Sequence, residues 1–308
     1  MDSMISHRTG SRIEGETSTA EVVAAIEQRL RQAERLVLPL DETLDLLAQL
    51  QEFELGRFLL HNRGLNGYWT SYIFRYSSGD PTSTPLEHWL LNRSLLRGAR
   101  ERFHRFKAEI ARHVTDGAVL ASVPCGVMDD LLQQDYRGVS GFRLVGVDID
   151  AESLALAKEN AAQRGLEEHC DFLLRNAWQL DVEGEFDLVV SNGLNMYESD
   201  PDRLVELYRN LGRSLRVGGT LLLSFLTPPP PPPWEAPERA HEWDRYGITE
   251  EDLRRELSLF GDIVQAKYLN FSSEAEVRAQ LEQAGLEVAF VSYSPTGVLP
   301  IVSATRVR

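Results

Sequence analysis

The carboxylate of Asp148 closes the apolar run Phe142-Arg143-Leu144-Val145-Gly146-Val147-Asp148. It follows Gly126 by about twenty residues, the interval at which an acid in a βαβ unit accepts hydrogen bonds from ribose hydroxyls. This spacing predicts a ligand that contains a nucleoside. The segment around Gly126 reads Pro124-Cys125-Gly126-Val127-Met128 and holds a single glycine. A dinucleotide site needs G-x-G-x-x-G so that backbone amides can approach a pyrophosphate, which disfavours NAD. Two further polar tips follow apolar runs: Asn176-Ala177-Trp178 after Asp171–Arg175, and Ser191-Asn192-Gly193 after Phe186.

Four apolar segments must position these groups. Ala118–Val123 is a short continuous run broken by Pro124-Cys125-Gly126, as expected of a buried parallel strand. Phe142–Asp148, Asp171–Arg175 and Phe186–Ser191 read the same way, and a helix from Glu152 to Gly165 separates two of them. Asp150 is expected to be the N-cap of that helix. Such an alternation predicts an α/β fold in which the polar tips share the carboxyl edge of one sheet, the place where ligands bind.

With these tips in this order, Gly117–Tyr197 resembles the class I S-adenosylmethionine-dependent methyltransferases. The resemblance extends through an amphipathic helix capped by Asp200-Pro201 into Leu215-Arg216-Val217-Gly218-Gly219-Thr220-Leu221-Leu222-Leu223, similar to that family's entry into its fifth strand. It implies a Rossmann-like sheet, mostly parallel with an antiparallel last strand, and S-adenosylmethionine as cofactor. By the same resemblance Gly126, within the Pro124-Cys125 loop, would lie against the methionyl portion, Asp148 would bind ribose and Ile149 would pack on adenine. Asn176 and the backbone of Ala177 or Trp178 would meet the adenine edge, and Asn192 would face the methionyl amine and the reacting centre. The chain departs from the family at Ser122, Pro124 and Met128, which stand where an acid and two glycines are usual. Pro124 and Met128 imply an altered loop path.

Composition narrows the substrate. A net charge of −15 repels a phosphate backbone, so no nucleic-acid substrate is expected. The hydrophobic share of 43% and charged share of 26% are those of a soluble globular protein. Cys125 and Cys170 belong to no metal-binding pattern, so no metal is expected, and two unpaired thiols suit a reducing compartment. No apolar run approaches the ~18 residues of a membrane span, so the expected location is cytoplasmic with no membrane partner.

The remaining chain is expected to frame the site. Residues 1–17 lack periodicity and read as disordered, 18–116 as an N-terminal helical lid region, and 117–308 as the S-adenosylmethionine-binding domain with a Pro-rich insertion at 227–247. Apolar faces on the N-terminal helices allow a homodimer. The aromatic segment 68–76 reads as a hydrophobic plug between helices and sheet, or as a lid in which Tyr68, Trp69 or Tyr72 covers the ligands. By resemblance to small-molecule methyltransferases, Arg75 would pair with the cofactor carboxylate. Pro85–Val114 reads as one long helix weakened at Gly98, with Arg97, Arg100, Arg102 and Arg105 on a solvated face. Pro228–Pro233 is a stiff polyproline spacer leaving the active-site edge, so 228–246, with Trp234, is a candidate rim of the acceptor pocket. Thr249–Val264 is a helix, and the strands Leu286–Ser292 and Leu299–Val307 form an antiparallel tail.

Methyl transfer from a sulfonium is an in-line displacement, for which holding two reactants in register is the main demand. A base is needed only for some acceptors; His104, His241 and Tyr197 are the candidates by position. The leading reading is a methyltransferase acting on a small molecule by O- or N-methylation. Its alternatives are a non-methylating S-adenosylmethionine-binding protein of the same fold, an NAD-linked oxidoreductase and an aminopropyl transferase.

Overall fold

The computed structural model describes residues 18–266 and 270–307, so segment 1–17, read above as disordered, lies outside the described residues. Six helices precede the first strand: α1 (Thr19–Gln32), α2 (Leu40–Leu50), α3 (Glu54–Asn62), α4 (Gly67–Arg75), α5 (Pro85–Leu91) and α6 (Ser94–Ile110). Ser18 and Glu21 form a reciprocal capping box at the start of α1. The long helix expected over Pro85–Val114 breaks at Asn92-Arg93, not at Gly98. There the Asn92 amide donates to the His88 carbonyl at 2.8 Å and the Arg93 Nε to the Trp89 carbonyl at 3.1 Å.

The sheet domain then runs β1 (Val119–Ser122), α7 (Asp129–Leu132), β2 (Arg143–Asp148), α8 (Ala151–Gln163), β3 (Cys170–Leu174), β4 (Phe186–Ser191), α9 (Pro201–Ser214) and β5 (Leu215–Ser224). It ends with α10 (Glu250–Leu257), α11 (Glu274–Gln283), β6 (Leu286–Ser292) and β7 (Ile301–Arg306). The seven strands lie in the order β3-β2-β1-β4-β5-β7-β6. The first five are parallel, and β7 runs antiparallel to both neighbours. Both faces are covered, since Val119 and Ala121 enter one apolar cluster and Leu120 the other. Two-sided burial is why these strands are continuous apolar runs. The strand order reverses between β1 and β4, which opens a crevice at their carboxyl ends.

A second core lies among the N-terminal helices, where Leu30, Leu46, Leu50, Leu55 and Leu59 pack with Leu259, Ile263 and Val264. The last three belong to a π-helical turn, Ser258–Ile263, that continues α10, and to the residue after it. The segment Thr249–Val264, expected as a helix, therefore completes the helical core. Its apolar residues pack against α1 and α2. The proline run leads to this excursion, and the Pro231 carbonyl accepts from Trp243 Nε1 at 2.8 Å. Helix α6 joins both cores: Leu96 and Phe103 enter the helical one, Phe106 and Ile110 the one under the sheet.

The turn after β1 combines tight packing with buried charge. Met128 holds φ at 62° and is fully buried, so the loop makes a left-handed turn of the kind glycine adopts freely. For a non-glycine residue that conformation costs about 1–2 kcal/mol, offset here by burial of the side chain. Its sulfur occupies space left by Gly146, where an added Cβ would meet Met128 Sδ at 3.0 Å, Cys125 Sγ at 3.1 Å and Phe172 at 3.2 Å. Asp129 accepts from the Ser71 hydroxyl of α4 and from Asn160 at 3.1 Å, which ties the helical region to the sheet. Asp130 accepts from the Ser122 hydroxyl at 2.8 Å and the Leu131 amide at 2.9 Å, and burial pushes its pKa up to about 6.

Two stability measurements follow from this turn. Gly146→Ala overfills the space beside Met128 and Cys125 and is expected to destabilise by about 1–3 kcal/mol in urea unfolding, with an unchanged m-value. Because the Asp130 pKa is higher folded than unfolded, its contribution is fully present below about pH 4 and is lost as pH rises through about 6. Asp130→Asn, whose Oδ1 can keep the Leu131 amide while its Nδ2 donates to the Ser122 hydroxyl, should therefore be more stable than wild type at pH 8, by on the order of 2 kcal/mol, with the difference shrinking towards pH 4.

Candidate active site

One cavity of about 1000 Å³ lies at the carboxyl ends of β1 to β4, between the sheet and helices α4 and α6. That is the upper end of the range of about 300–1000 Å³ for small-molecule sites. Pro124, Cys125, Gly126, Asp148, Ile149, Asn176, Ala177, Trp178 and Asn192, the residues expected at the cofactor, all line it. Four strand tips bring them together although they are dispersed over the sequence.

The Asp148 carboxylate is braced by backbone. Oδ2 accepts from the Gly126 amide at 2.9 Å and Oδ1 from the Asp150 amide at 3.0 Å. Burial raises its pKa, and these amides counter the rise by favouring the ionised form. Each oxygen keeps a lone pair for a hydroxyl donor. Asp150 caps α8 by accepting from the Glu152 and Ser153 amides, both at 3.2 Å. Asn176 turns its carbonyl oxygen to the Trp178 amide at 3.0 Å, and Trp178 Nε1 donates to the Arg203 carbonyl at 2.9 Å. Asn192 lines the cavity, and its side-chain oxygen is buried with no hydrogen-bond partner.

Helix α4 supplies the facing wall. A Cβ on Gly67 would stand 2.9 Å from the Gly126 Cα, so the two backbones meet where no side chain fits. Asn66 caps α4 through its carbonyl oxygen, 2.9 Å from the Trp69 amide, and its buried Nδ2 has no partner. The cavity is therefore bounded by Asn66, Gly67, Thr70, Ser71 and Phe74. The aromatic residues expected as a lid lie elsewhere. Trp69 is buried in the helical core, the Tyr72 hydroxyl donates to Glu87 at 3.0 Å, and Tyr68 and Arg75 are exposed. Helical period explains the correction: positions 67, 70, 71 and 74 share one face, while 68, 69, 72 and 75 point away from it.

The proposed bases divide similarly. Tyr197 lines the cavity, and burial raises its pKa, so its hydroxyl is a donor at neutral pH rather than a base. His104 and His241 are exposed and outside the cavity. Trp234 also lies outside it, under the Arg254 guanidinium at 3.8 Å, and none of residues 228–246, the expected rim, lines the cavity. Arg102, read from sequence as a solvated charge, is buried and lines the cavity. Its place on the helical stripe of Leu95, Ala99 and Phe106 was the available signal. Among the described residues no cluster of His, Cys, Asp or Glu is arranged to hold a metal, and no helix is long and apolar enough to cross a membrane.

Comparisons agree with this geometry. A family model described as a methyltransferase domain matches residues 123–219. No curated protein is significantly similar to the chain. A crystal structure from Bordetella parapertussis, described as a possible exported protein, is 36% identical, covers 94% of this chain and 95% of its own, and superposes with a TM-score of 0.85. That match is long enough to take in the helical region as well as the sheet. Magnesium protoporphyrin IX methyltransferase from Synechocystis PCC 6803, with bound S-adenosylhomocysteine, is 15% identical over 78% of this chain and 94% of its own, at a TM-score of 0.51, a likeness of fold. With its seven-stranded sheet, its strand-tip cavity and the match over residues 123–219, the chain carries a methyltransferase domain of the class I Rossmann-like fold.

Proposed function

We propose that this protein transfers a methyl group from S-adenosylmethionine to a small molecule enclosed between the sheet and helices α4 and α6. The observation that carries this reading is the orphaned Asn192 oxygen in the same cavity as the backbone-braced Asp148 carboxylate. Their chemistry fits the cofactor: a carboxylate for vicinal hydroxyls, and an unpaired acceptor for an ammonium group. Asn66 Nδ2 and the first amides of α4, beside Gly67 and Gly126, are donors for the amino-acid carboxylate. Exposed Ile149 offers an apolar face to the adenine.

When bound, S-adenosylmethionine supplies an electrophilic methyl on a sulfonium. The chain's part is to hold the acceptor in line and to exclude water. Phe74, Leu96, Phe103 and Met196 form the apolar portion of the wall on the α6 side. Among the described residues no histidine lines the cavity, so its ionisable acids are carboxylates, the Tyr197 phenol and the Cys125 thiol, whose pKa burial pushes up. This favours acceptors that are already nucleophilic at neutral pH over those needing a strong base. A cytoplasmic location belongs to the same reading and is supported by two free thiols.

Calorimetric titration with S-adenosylmethionine and S-adenosylhomocysteine tests the proposal. Both should bind, and Asp148→Ala should weaken each by about 1–3 kcal/mol, roughly 5- to 150-fold. Absence of heat with either ligand on the folded wild-type protein would refute the cofactor assignment. Gly67→Ala places a methyl against the Gly126 backbone and is expected to lower S-adenosylhomocysteine affinity about tenfold. An unchanged dissociation constant would mean that α4 does not shape the cofactor site.

A further inference from the structure

Arg102 is 7% exposed, on the face of α6 turned towards the cavity. Nη1 donates to the Ser224 hydroxyl at 3.2 Å and approaches Met196 Sδ at 3.9 Å. Nε is buried with no partner, and among the described residues no carboxylate pairs with the guanidinium. Burial lowers its pKa only to about 10, so the charge is retained at neutral pH. The nearby Tyr197 phenol stays neutral there and does not supply a counter-charge. A buried and unpaired guanidinium is costly, and burial of that kind is tolerated where a ligand provides the missing anion.

Its surroundings define the ligand. Arg102 reaches the tips of β4 and β5, and a Cβ on Gly193 would lie 3.2 Å from Nη1. Phe74 is 5.9 Å from the guanidinium and stacks on Phe103 at 4.5 Å, so the space beside the charge is apolar and partly aromatic. The acids Asp129, Asp130, Asp148 and Asp150 all line the cavity from the first loop and β2. Glu198 and Asp200 line it beyond β4, where Glu198 accepts from Arg203 at 2.9 Å and Asp200 caps α9, while Arg102 stands among the apolar side chains without a carboxylate partner among the described residues.

We propose that the methyl acceptor carries a carboxylate on an apolar body and that Arg102 binds that carboxylate, which fixes the acceptor's orientation in the cavity. This rests on the methyltransferase reading above. A carboxylate could also come from the amino-acid end of the cofactor. The geometry favours the acceptor, because Asn66 and the start of α4 already offer donors beside Gly126, while Arg102 lies at β4 and β5.

The test observes the Arg102 Nε–H by NMR in 15N-arginine-labelled protein, the signal being assigned by its loss in Arg102→Lys. With S-adenosylhomocysteine bound, benzoate should move this signal saturably, while benzamide, of the same shape without charge, should not. Arg102→Met should bind benzoate about tenfold more weakly or worse and keep its S-adenosylhomocysteine affinity within about twofold. If that variant does not fold, the wild-type comparison of benzoate with benzamide decides. Equal responses to the two probes, or none to benzoate, would overturn the proposal. So would a signal that moves with S-adenosylhomocysteine but not with 5′-methylthioadenosine, which lacks the amino-acid portion; Arg102 would then serve the cofactor. Failure of S-adenosylhomocysteine to bind at all is separable, because it removes the methyltransferase reading itself.

Discussion

Helix α6 must satisfy two hydrophobic cores at once, and the site depends on that constraint. Leu96 and Phe103 pack with the N-terminal helices, while Phe106 and Ile110 pack under the sheet. A helix shared in this way cannot shift against one core without disturbing the other, since both are packed at near-crystalline density. Arg102 sits where the two cores meet, so its guanidinium is held at the tips of β4 and β5 by packing and not by a counter-ion. The excursion between β5 and β6 strengthens the arrangement, because the Tyr246 carbonyl accepts from Arg97 Nη2 at 2.9 Å and α10 leads into the helical core.

The loop after β1 shows how a glycine-poor turn can still lie close to a ligand. Met128 takes a left-handed conformation that normally favours glycine, and its sulfur enters the space that Gly146 leaves open on β2. The requirement for a missing side chain has moved to two other positions. Gly146 accommodates the methionine from below, and Gly67 allows α4 to touch Gly126 from above. The altered path expected from Pro124 and Met128 is thus an altered distribution of small residues around a turn that remains left-handed at Gly126 and Met128.

Charge within the cavity is unevenly placed. Four carboxylates gather at the first loop and the end of β2, and two of them, Asp130 and Asp148, are buried deeply enough for their pKa values to rise. At the tips of β4 and β5 the Arg102 guanidinium stands among aromatic and aliphatic side chains. A cationic donor and an anionic acceptor suit such a field, because a charge interaction that is weak in water strengthens in a dry site. The overall charge of −15 says little about this choice, since exposed charges beyond about 8 Å are screened at physiological ionic strength.

Sequence alone determined the sheet and its tips. Continuous apolar runs ending at Gly126, Asp148, Asn176 and Asn192 encode strands buried on both faces, and caps such as Ser18 and Asp150 act within a few residues of their own helices. These signals are local, so they are legible without a structure. Tertiary structure alone decided which face of α4 meets the cavity, where the 250–264 segment packs, and that Arg102 is buried. Periodicity shows that a helix has two faces, but only the packing of distant elements selects the one turned inward. For that reason Tyr68, Trp69 and Tyr72 drew attention that belonged to Gly67, Ser71 and Phe74. A charge among other charges on α6 reads as solvated until Phe74, Met196 and Ser224, all remote in sequence, close around it.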